Sequence, residues 1–315
     1  MLELKDSLTG TLTFIGHVSV DQVETINGVN VQPGGAALHA AVAARTLSED
    51  VILASVIGED YPYKEILRLF PRGSIRFSRL PSTRFRITYD EKWEAKYLET
   101  NYGAGTRISF LIIPRRALRP NGVVHISPLP PTRTRRIIER IKESSPKVKI
   151  SLNTWIGYMK TKRNREILRE ISREVDYFIL NDSEAKALAE VNSLSIAIRM
   201  LRARTLIVTL GEFGAIISSE KSGVQMVPAM RFPLERIVDV TGAGDAWCGA
   251  FLASLQLTGD LVKSVTAASI ISGIKCTGWG FSKLLNLRFK SVDHLIEYVI
   301  GLREGSMQKR LVDFF

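Results

Sequence analysis

The chain has 315 residues, of which 45% are hydrophobic and 24% are charged, a composition typical of a globular protein with a large buried core. Its net charge is +11, but the basic residues are spread along the sequence on the polar sides of amphipathic helices, which argues against a nucleic-acid partner. No stretch has the length of a membrane span, and Cys248 and Cys276 lack metal-ligand spacing. We therefore expect a cytoplasmic protein with no membrane and no nucleic-acid partner.

The first third of the chain contains two apolar runs typical of strands. Residues 11–20 predict a single strand that Asp21 ends, and residues 51–57 predict a fully buried strand. Gly34-Gly35 breaks the chain before a helix over residues 36–47. Residues 63–70 predict a second helix.

The next segment has a different pattern, which indicates a small separate sheet. Residues 76–102 alternate with a period of two, with Phe85 and Ile87 on one face and charges on the other. Together with a hairpin signal at Asn27-Gly28, this predicts a lid formed by segments 22–32 and 76–103. Arg84 and Arg86 either clamp a phosphate group of a ligand or protect an edge strand from aggregation. The lid is also a candidate surface for a homodimer.

From residue 123 onward, strands and helices alternate regularly. The predicted strands cover residues 123–126, 148–152, 177–180, 205–210, 215–218 and 225–228. The predicted helices cover residues 132–144, 163–173, 183–190, 193–201, 246–257, 261–274 and 291–303. This alternation predicts a mostly parallel sheet with helices on both faces, and ligands at the carboxyl ends of its strands. Polar candidates at those ends are Asp21, Asn153, Asn181 and Gly211.

The segment over residues 239–245, DVTGAGD, is followed directly by an apolar helix. Backbone N–H groups at a helix start have no intrahelical partners, and glycines let a phosphate approach them closely. Asp245 beside such an anion site is well placed to take a proton from an attacking hydroxyl. The alternative is an ordinary loop-to-helix turn.

Three further motifs each allow a structural and a functional interpretation. In residues 181–184, either Asp182 or Ser183 caps a helix, or Asn181 and Glu184, one helical turn apart, organise Mg²⁺ and phosphate through water. The segment 209–214 is a plain strand-to-turn transition or a close approach to a nucleotide. His39, after the glycine pair, is a structural histidine or a partner for a hydroxyl group.

In this order and spacing, the motifs resemble the ribokinase-like PfkB carbohydrate kinase family over residues 11–280. The resemblance depends on residues 34–41 (GGAALHAA), residues 58–60, the Asn181-x-x-Glu184 pair and residues 239–245. It implies one α/β catalytic domain over residues 1–315, a three-layer sandwich with a mostly parallel central sheet and a small β lid. It also implies Mg²⁺-dependent transfer of the γ-phosphoryl of ATP to a hydroxyl of a sugar, sugar acid or inositol-type polyol.

The resemblance also implies roles for individual residues. Asp245 would be the general base, and the N–H groups of Gly242, Ala243 and Gly244 would form the anion hole. The residues facing the acceptor would be Asp21, Gly34, Gly35, His39 and Asn153. Asn181 and Glu184 would serve the triphosphate, with Glu184 bound to Mg²⁺ through water. The remaining nucleotide-binding residues would be Thr209, Gly211, Gly214, Ala267, Ile271 and Gly278. Carbonyl groups near Asp239 and Thr241 would hold a monovalent cation such as K⁺.

The chain departs from the family pattern at position 39, where His replaces the usual Asn. The two side chains differ in reach, so the acceptor pocket is expected to be altered. An alternative within the enzyme class is a nucleoside kinase with Trp93 or Tyr97 stacking on a base. An alternative outside it is a sugar-binding regulatory protein without catalysis, which the intact Asp245 and glycines disfavour.

Overall fold

The computed structural model describes residues 10–220, 223–229 and 237–312, with side chains in the last helix as far as residue 302. In chain order the strands are β1 (Leu12–Ile15), β2 (Ser19–Thr25), β3 (Gly28–Gly34), β4 (Val51–Gly58), β5 (Ile75–Ser78), β6 (Thr83–Tyr89), β7 (Ala95–Asn101), β8 (Val123–Ile126), β9 (Lys149–Asn153), β10 (Tyr177–Asn181), β11 (Thr205–Thr209), β12 (Gly214–Ser219) and β13 (Gly223–Pro228). The helices are α1 (Ala36–Ala44), α2 (Lys64–Leu67), α3 (Pro131–Ser144), α4 (Lys162–Ser172), α5 (Asp182–Ala189), α6 (Leu194–Met200), α7 (Ala243–Thr258), α8 (Leu261–Cys276) and α9 (Val292–Val312).

Nine strands form the main sheet, in the order β13-β12-β11-β10-β9-β8-β1-β4-β5. All neighbouring strands are parallel except for the antiparallel pairs β11–β12 and β12–β13. The register pairs Asn181 with Thr209 and Asn153 with Ile179, so three polar strand ends lie at the same edge of the sheet. This edge is where ligands bind in parallel α/β sheets.

Helices cover both faces of the main sheet, which confirms the three-layer sandwich. One hydrophobic core packs α1, α7 and α8 against the sheet, and a second core packs α3, α4, α5 and α6 against its other face. Helix α7 is buried over most of its length, which explains its nearly continuous run of apolar and small residues. Helices α3 and α4 are amphipathic, with isoleucines buried and most of the charged side chains exposed.

Four strands form the lid sheet, in the order β3-β2-β6-β7. The hairpin predicted at Asn27-Gly28 is confirmed, because β2 and β3 pair up to Thr25 opposite Gly28. On β3, Val29 and Val31 are exposed. Assembly of a dimer through this sheet stays a prediction.

Three sequence-based expectations about the first hundred residues were wrong. The single strand over residues 11–20 is two strands, because β1 is fully buried in the main sheet whereas β2 has the alternating burial of a lid strand. Asp21 therefore lies within β2 instead of ending a strand. The predicted lid segment 76–103 begins in β5, which pairs with β4 in the main sheet. The helix expected over residues 63–70 is the single turn α2.

Among the described residues, no helix is long and apolar enough to cross a membrane. Both cysteines are buried free thiols, as their apolar surroundings predict.

Candidate active site

A cavity of about 220 Å³ lies between the carboxyl edge of the main sheet, the start of α7 and the inner face of the lid. Asn153, Asn181 and Thr209, the last residues of β9, β10 and β11, all line it. Gly242, Gly244 and Asp245 line it from the start of α7. The structure thus brings together residues that are more than 80 positions apart in the sequence.

The turn at the start of α7 has the geometry of an anion site. Gly242 caps the helix in the left-handed conformation, with φ of 69°. The Ala243 N–H donates to the Val240 carbonyl at 3.0 Å, so it closes the turn and is not available to an anion. The N–H groups of Gly242 and Gly244 have no hydrogen-bond partner among the described residues. The predicted anion hole is therefore corrected from three donors to these two.

Asp245 lies in the first turn of α7 and borders the cavity. Its Oδ1 accepts a hydrogen bond from Asn153 Nδ2 at 2.9 Å. Burial raises the pKa of the Asp245 carboxyl to about 6, and the Asn153 hydrogen bond opposes that rise. A carboxylate with a pKa near neutrality beside two free N–H groups suits proton abstraction next to a bound phosphoryl group.

The helix cap expected from Asp182 or Ser183 is formed instead by Asn181, because α5 begins at Asp182. Asn181 and Glu184 form a reciprocal capping box: Asn181 Oδ1 accepts the Glu184 N–H at 2.8 Å, and Glu184 Oε2 accepts the Asn181 N–H at 2.9 Å. Both residues also line the cavity. Burial raises the pKa of the Glu184 carboxyl to about 7, and the charge of Asp245 adds to the rise.

This arrangement fits a divalent cation. The carboxyl groups of Glu184 and Asp245 face the same cavity, and a cation near Glu184 would favour its ionised form. No group of three or more His, Cys, Asp or Glu side chains that could hold a metal occurs in the described parts of the chain. Mg²⁺ suits such a sparse site, because it keeps several waters and takes its other ligands from substrate phosphates.

The predicted nucleotide residues at the end of β11 have different locations. Thr209 lines the cavity, and Gly211 is an exposed residue with φ of 59°. Gly214 is buried at the start of β12, where a Cβ would lie 2.1 Å from the Val227 carbonyl oxygen. Chain packing therefore requires a glycine at position 214, and the structure does not support a direct nucleotide contact there.

The structure does not support nucleotide contacts for the three residues that were expected to flank adenine. Ala267 and Ile271 are fully buried in the hydrophobic core of α8, and Gly278 is buried beneath Ser282 and Lys283. The apolar pattern correctly identifies α8, but its apolar residues face the core. The partly exposed side of α8 carries other residues, namely Thr266, Ser269, Ser272 and Gly273.

Asp21 projects from the lid strand β2 into the cavity. It is buried, and its Oδ1 accepts a hydrogen bond from Ser19 Oγ at 2.6 Å. Burial raises the pKa of the Asp21 carboxyl to about 7, against hydrogen bonds from Ser19 and Gly35. A Cβ on Gly34 would lie 1.8 Å from Asp21 Oδ2, and Gly34 does not border the cavity. Gly34 therefore makes room for Asp21, whereas Gly35 lines the cavity itself.

His39 lies on α1 behind the anion turn and borders the cavity. A Cβ on Gly242 would lie 2.2 Å from its ring, and the Phe281 ring is 4.6 Å away between centroids. Burial and the neighbouring Lys275 lower the pKa of His39 to about 3, so the imidazole is neutral. Neither ring nitrogen has a hydrogen-bond partner among the described residues. The ring can offer one donor and one acceptor to a ligand.

The far end of the cavity, under the lid, is lined with aromatic rings. Trp155 packs against Tyr97 and Tyr158, with ring centroids 5.1 Å and 5.5 Å apart. The other rings that border the cavity there are Phe85, Tyr102 and His17. Of the two aromatic residues proposed for stacking, Tyr97 lines the cavity, whereas Trp93 packs against Tyr89 in the β6–β7 turn and does not.

Sequence reasoning missed His17, Trp155 and Tyr158. Trp155 follows the end of β9 by two residues, so the rule for the ends of parallel strands could have identified it. His17 lies between β1 and β2, in the interval that the sequence interpretation treated as continuous strand. Arg84 lies outside the cavity and forms an ion pair with Asp60 at 3.0 Å. The structure therefore does not support Arg84 as a phosphate clamp.

The residues expected to hold a monovalent cation do not fit a free ion. Asp239 is fully buried, and the Lys275 Nζ lies 2.9 Å from its carbonyl oxygen and 3.1 Å from its Oδ2. Its Oδ1 accepts the Thr241 N–H at 2.7 Å. Burial favours a raised pKa for Asp239, but Lys275 and the hydrogen bonds hold it below its ordinary value. A protein ammonium group already occupies this position.

Comparisons with known proteins agree with this geometry. The family model for pfkB family carbohydrate kinases matches residues 10–283. The cytidine kinase of Thermococcus kodakarensis is 30% identical over 250 residues, which cover 77% of this chain and 87% of that protein.

Two solved structures have the same fold. A nucleoside kinase from Burkholderia thailandensis in complex with inosine has a TM-score of 0.76 and 22% identity, covering 93% of this chain and 99% of that one. A fructokinase double mutant from Vibrio cholerae, with fructose, ADP and potassium ion bound, has a TM-score of 0.72 and 19% identity, covering 88% and 95%. Together with the site geometry, these findings show that the chain belongs to the pfkB family of carbohydrate kinases and is an ATP-dependent kinase with an alcohol acceptor.

Proposed function

We propose that this kinase transfers the γ-phosphoryl group of ATP to a sugar hydroxyl of a nucleoside. The observation that carries the proposal is the aromatic end of the cavity, where Tyr97, Trp155 and Tyr158 form a continuous group of rings. Flat rings give a nucleobase large contact areas, and stacking on aromatic side chains contributes about 1–3 kcal/mol per base. A free sugar or polyol lacks the planar base that would stack on this surface.

The polar groups of the cavity suit the sugar part of such an acceptor. Asp21, His39 and Asn153 offer hydrogen-bond donors and acceptors between the aromatic end and the anion turn. The hydroxyl nearest to Asp245 would be deprotonated as it attacks the phosphoryl group. The N–H groups of Gly242 and Gly244 would bind the oxygen atoms of that group, where negative charge must be stabilised.

Glu184, with Asn181, would hold Mg²⁺ through water on the triphosphate side, where the ion supplies positive charge to the phosphates. Thr209 and the exposed Gly211 would lie beside the nucleotide. Closure of the lid sheet would exclude water, which otherwise competes with the acceptor.

Two relatives support a nucleoside acceptor over a free sugar. The proteins of similar sequence include a cytidine kinase, and those of similar structure include a nucleoside kinase with inosine bound. A fructokinase shares the fold as well, so the fold alone does not choose the acceptor. The intact anion turn and Asp245 argue against a regulatory protein that binds sugars without catalysis.

An ADP-release assay over nucleosides, free sugars, sugar acids and polyols tests the proposal. Turnover is expected with nucleosides, at a kcat/KM at least about tenfold above that of the corresponding free sugar, because the base adds stacking energy. Asp245→Asn serves as the inactive control for background ATP hydrolysis. Turnover of a free sugar or polyol with no response to nucleosides would overturn the proposal.

A further inference from the structure

Lys275 is a fully buried lysine near the carboxyl end of α8. Lysine is almost never fully buried unless it is paired. Its Nζ donates to two oxygen atoms of one residue, the carbonyl oxygen of Asp239 at 2.9 Å and Oδ2 of Asp239 at 3.1 Å. The ammonium group is thus bound by one carbonyl and one carboxylate, a pair of ligands that a free monovalent cation would also use.

Asp239 links the ammonium group to the anion turn and to the lid. Its Oδ1 accepts the Thr241 N–H at 2.7 Å, one residue before Gly242. Its Oδ2 also accepts Gln32 Nε2 of lid strand β3 at 2.9 Å and the Gly280 N–H at 3.2 Å. One carboxylate therefore positions three separate segments of the chain around the site.

Helix α8 fixes the segment before the anion turn at a second place. The Val238 and Asp239 N–H groups donate to the Cys276 carbonyl, at 2.8 Å and 3.2 Å, which satisfies a carbonyl at the end of the helix. Ser272 Oγ donates to the Ala243 carbonyl at 2.8 Å, within the turn itself. Because these contacts all come from α8, the position of Lys275 relative to the turn is rigidly defined.

The charge of Lys275 matters for an anionic substrate. An unpaired Asp239 carboxylate next to the turn would repel the phosphoryl oxygens that approach Gly242 and Gly244. An adjacent ammonium group cancels this charge and leaves the N–H groups that face the cavity free to bind an anion. A bound ion would do the same only at the concentration that fills its site.

We propose that Lys275 takes the place of a monovalent cation beside the anion turn, as a positioning residue that makes the kinase independent of K⁺. The inference rests on the proposed phosphoryl transfer at the same turn. Lys275 acts through Asp239, which holds the turn, and does not itself line the cavity.

The first test uses the wild-type protein with K⁺ replaced by Na⁺ or tetramethylammonium at constant ionic strength. Turnover and melting temperature are expected to change little, turnover by less than about twofold, because the Lys275 ammonium group fills the position beside Asp239. A K⁺ requirement of about tenfold or more in the wild type would overturn the proposal.

The second test uses Lys275→Ala, which removes the ammonium group and opens its space. Turnover is expected to fall by about 100-fold, comparable to the loss of one anion-hole donor. K⁺ or methylammonium is expected to restore at least about tenfold and to raise the melting temperature, because either cation can fill the vacated position. Lys263→Ala is the matched control, since Lys263 is an exposed lysine in the first turn of the same helix. A Lys275→Ala variant with wild-type turnover, or with no response to either cation, would contradict the proposal.

A double variant covers the case in which Lys275→Ala fails to fold. Lys275→Met with Asp239→Asn keeps the side-chain volumes and leaves no unpaired buried charge, so it is expected to fold. It is expected to have reduced turnover and no response to K⁺, because the carboxylate that would bind the ion is gone. Wild-type turnover in this variant would show that the charged pair does not position the turn.

These measurements separate the present inference from the proposed function. The melting response of Lys275→Ala to K⁺ requires no acceptor, so it reports on the cation position even if nucleosides are not phosphorylated. Conversely, nucleoside turnover that depends strongly on K⁺ in the wild type would leave the proposed function intact and remove the role of Lys275.

Discussion

The two ends of the active-site cavity differ in how they are built. At the phosphoryl end, one short segment, residues 239–245, contains both the turn proposed to bind the anion and the proposed base, and buried contacts from α1 and α8 hold it. At the acceptor end, the lining comes from β2, β6, β7 and the loop after β9, which are far apart in sequence. The comparison teaches that the chemistry is encoded locally, whereas acceptor choice depends on how distant segments meet.

The largest expected effect belongs to the phosphoryl end. Asp245→Asn removes the base while keeping the shape of the side chain, so kcat is expected to fall by about 10²–10⁴-fold. Binding of ATP with Mg²⁺, measured by calorimetry, is expected to persist. Asp293→Asn, an exposed aspartate on α9, is the control and should keep wild-type turnover. Near-normal turnover of Asp245→Asn would remove Asp245 as the base.

Gly242 and Gly259 lie at opposite ends of α7. Comparing their alanine variants distinguishes a glycine that the anion turn requires from a glycine that only caps the helix. Gly242 and Gly259 have nearly the same φ, 69° and 66°, but a Cβ on Gly242 would overlap the His39 ring whereas a Cβ on Gly259 would meet nothing. Gly259→Ala is expected to cost about 1 kcal/mol of stability, from left-handed backbone strain alone. Gly242→Ala is expected to cost about 3 kcal/mol or more, because the overlap adds to that strain.

Chemical denaturation measures both free energies of unfolding. Gly259→Ala should keep its turnover, whereas Gly242→Ala should lose most of it with the geometry of the turn. Equal stability and equal turnover of the two variants would contradict the tight packing between His39 and the anion turn.

A smaller effect concerns the pH dependence of Asp245. Because the base must be ionised, kcat/KM is expected to fall as the pH drops below the carboxyl pKa of about 6. The Asn153 hydrogen bond stabilises the ionised form, so Asn153→Ala is expected to move the acidic limb to higher pH. A pH profile of kcat/KM measures the shift, and an unchanged or lowered midpoint would contradict the role of Asn153.

The accuracy of the sequence-based predictions follows the same division. The turn at the start of α7 was predicted correctly because its residue types and spacing reflect local backbone geometry, and the roles of Asp245, Asn181 and Glu184 stay predictions. The alternation in β6 also identified the inward face, since Phe85 and Ile87 line the cavity whereas Arg84 and Arg86 point away.

The errors arose where packing between distant segments decides the outcome. Ala267 and Ile271 are apolar residues on the correct helix but on its buried side. The pairing of Lys275 with Asp239 depends on a contact between distant segments that no local pattern specifies. The strand-end rule could have identified Trp155, but its contact with Tyr97 depends on how the lid packs over the end of β9.

The central claim is that the aromatic end of the cavity selects a nucleobase, and Trp155 tests it most directly. The measurement is the ratio of kcat/KM for a nucleoside to that for its free sugar, in the wild type, in Trp155→Ala and in Trp93→Ala, which alters a lid tryptophan outside the cavity. The ratio is expected to fall by about tenfold or more in Trp155→Ala, through lost stacking, and to stay unchanged in Trp93→Ala. An unchanged ratio in Trp155→Ala would contradict the claim.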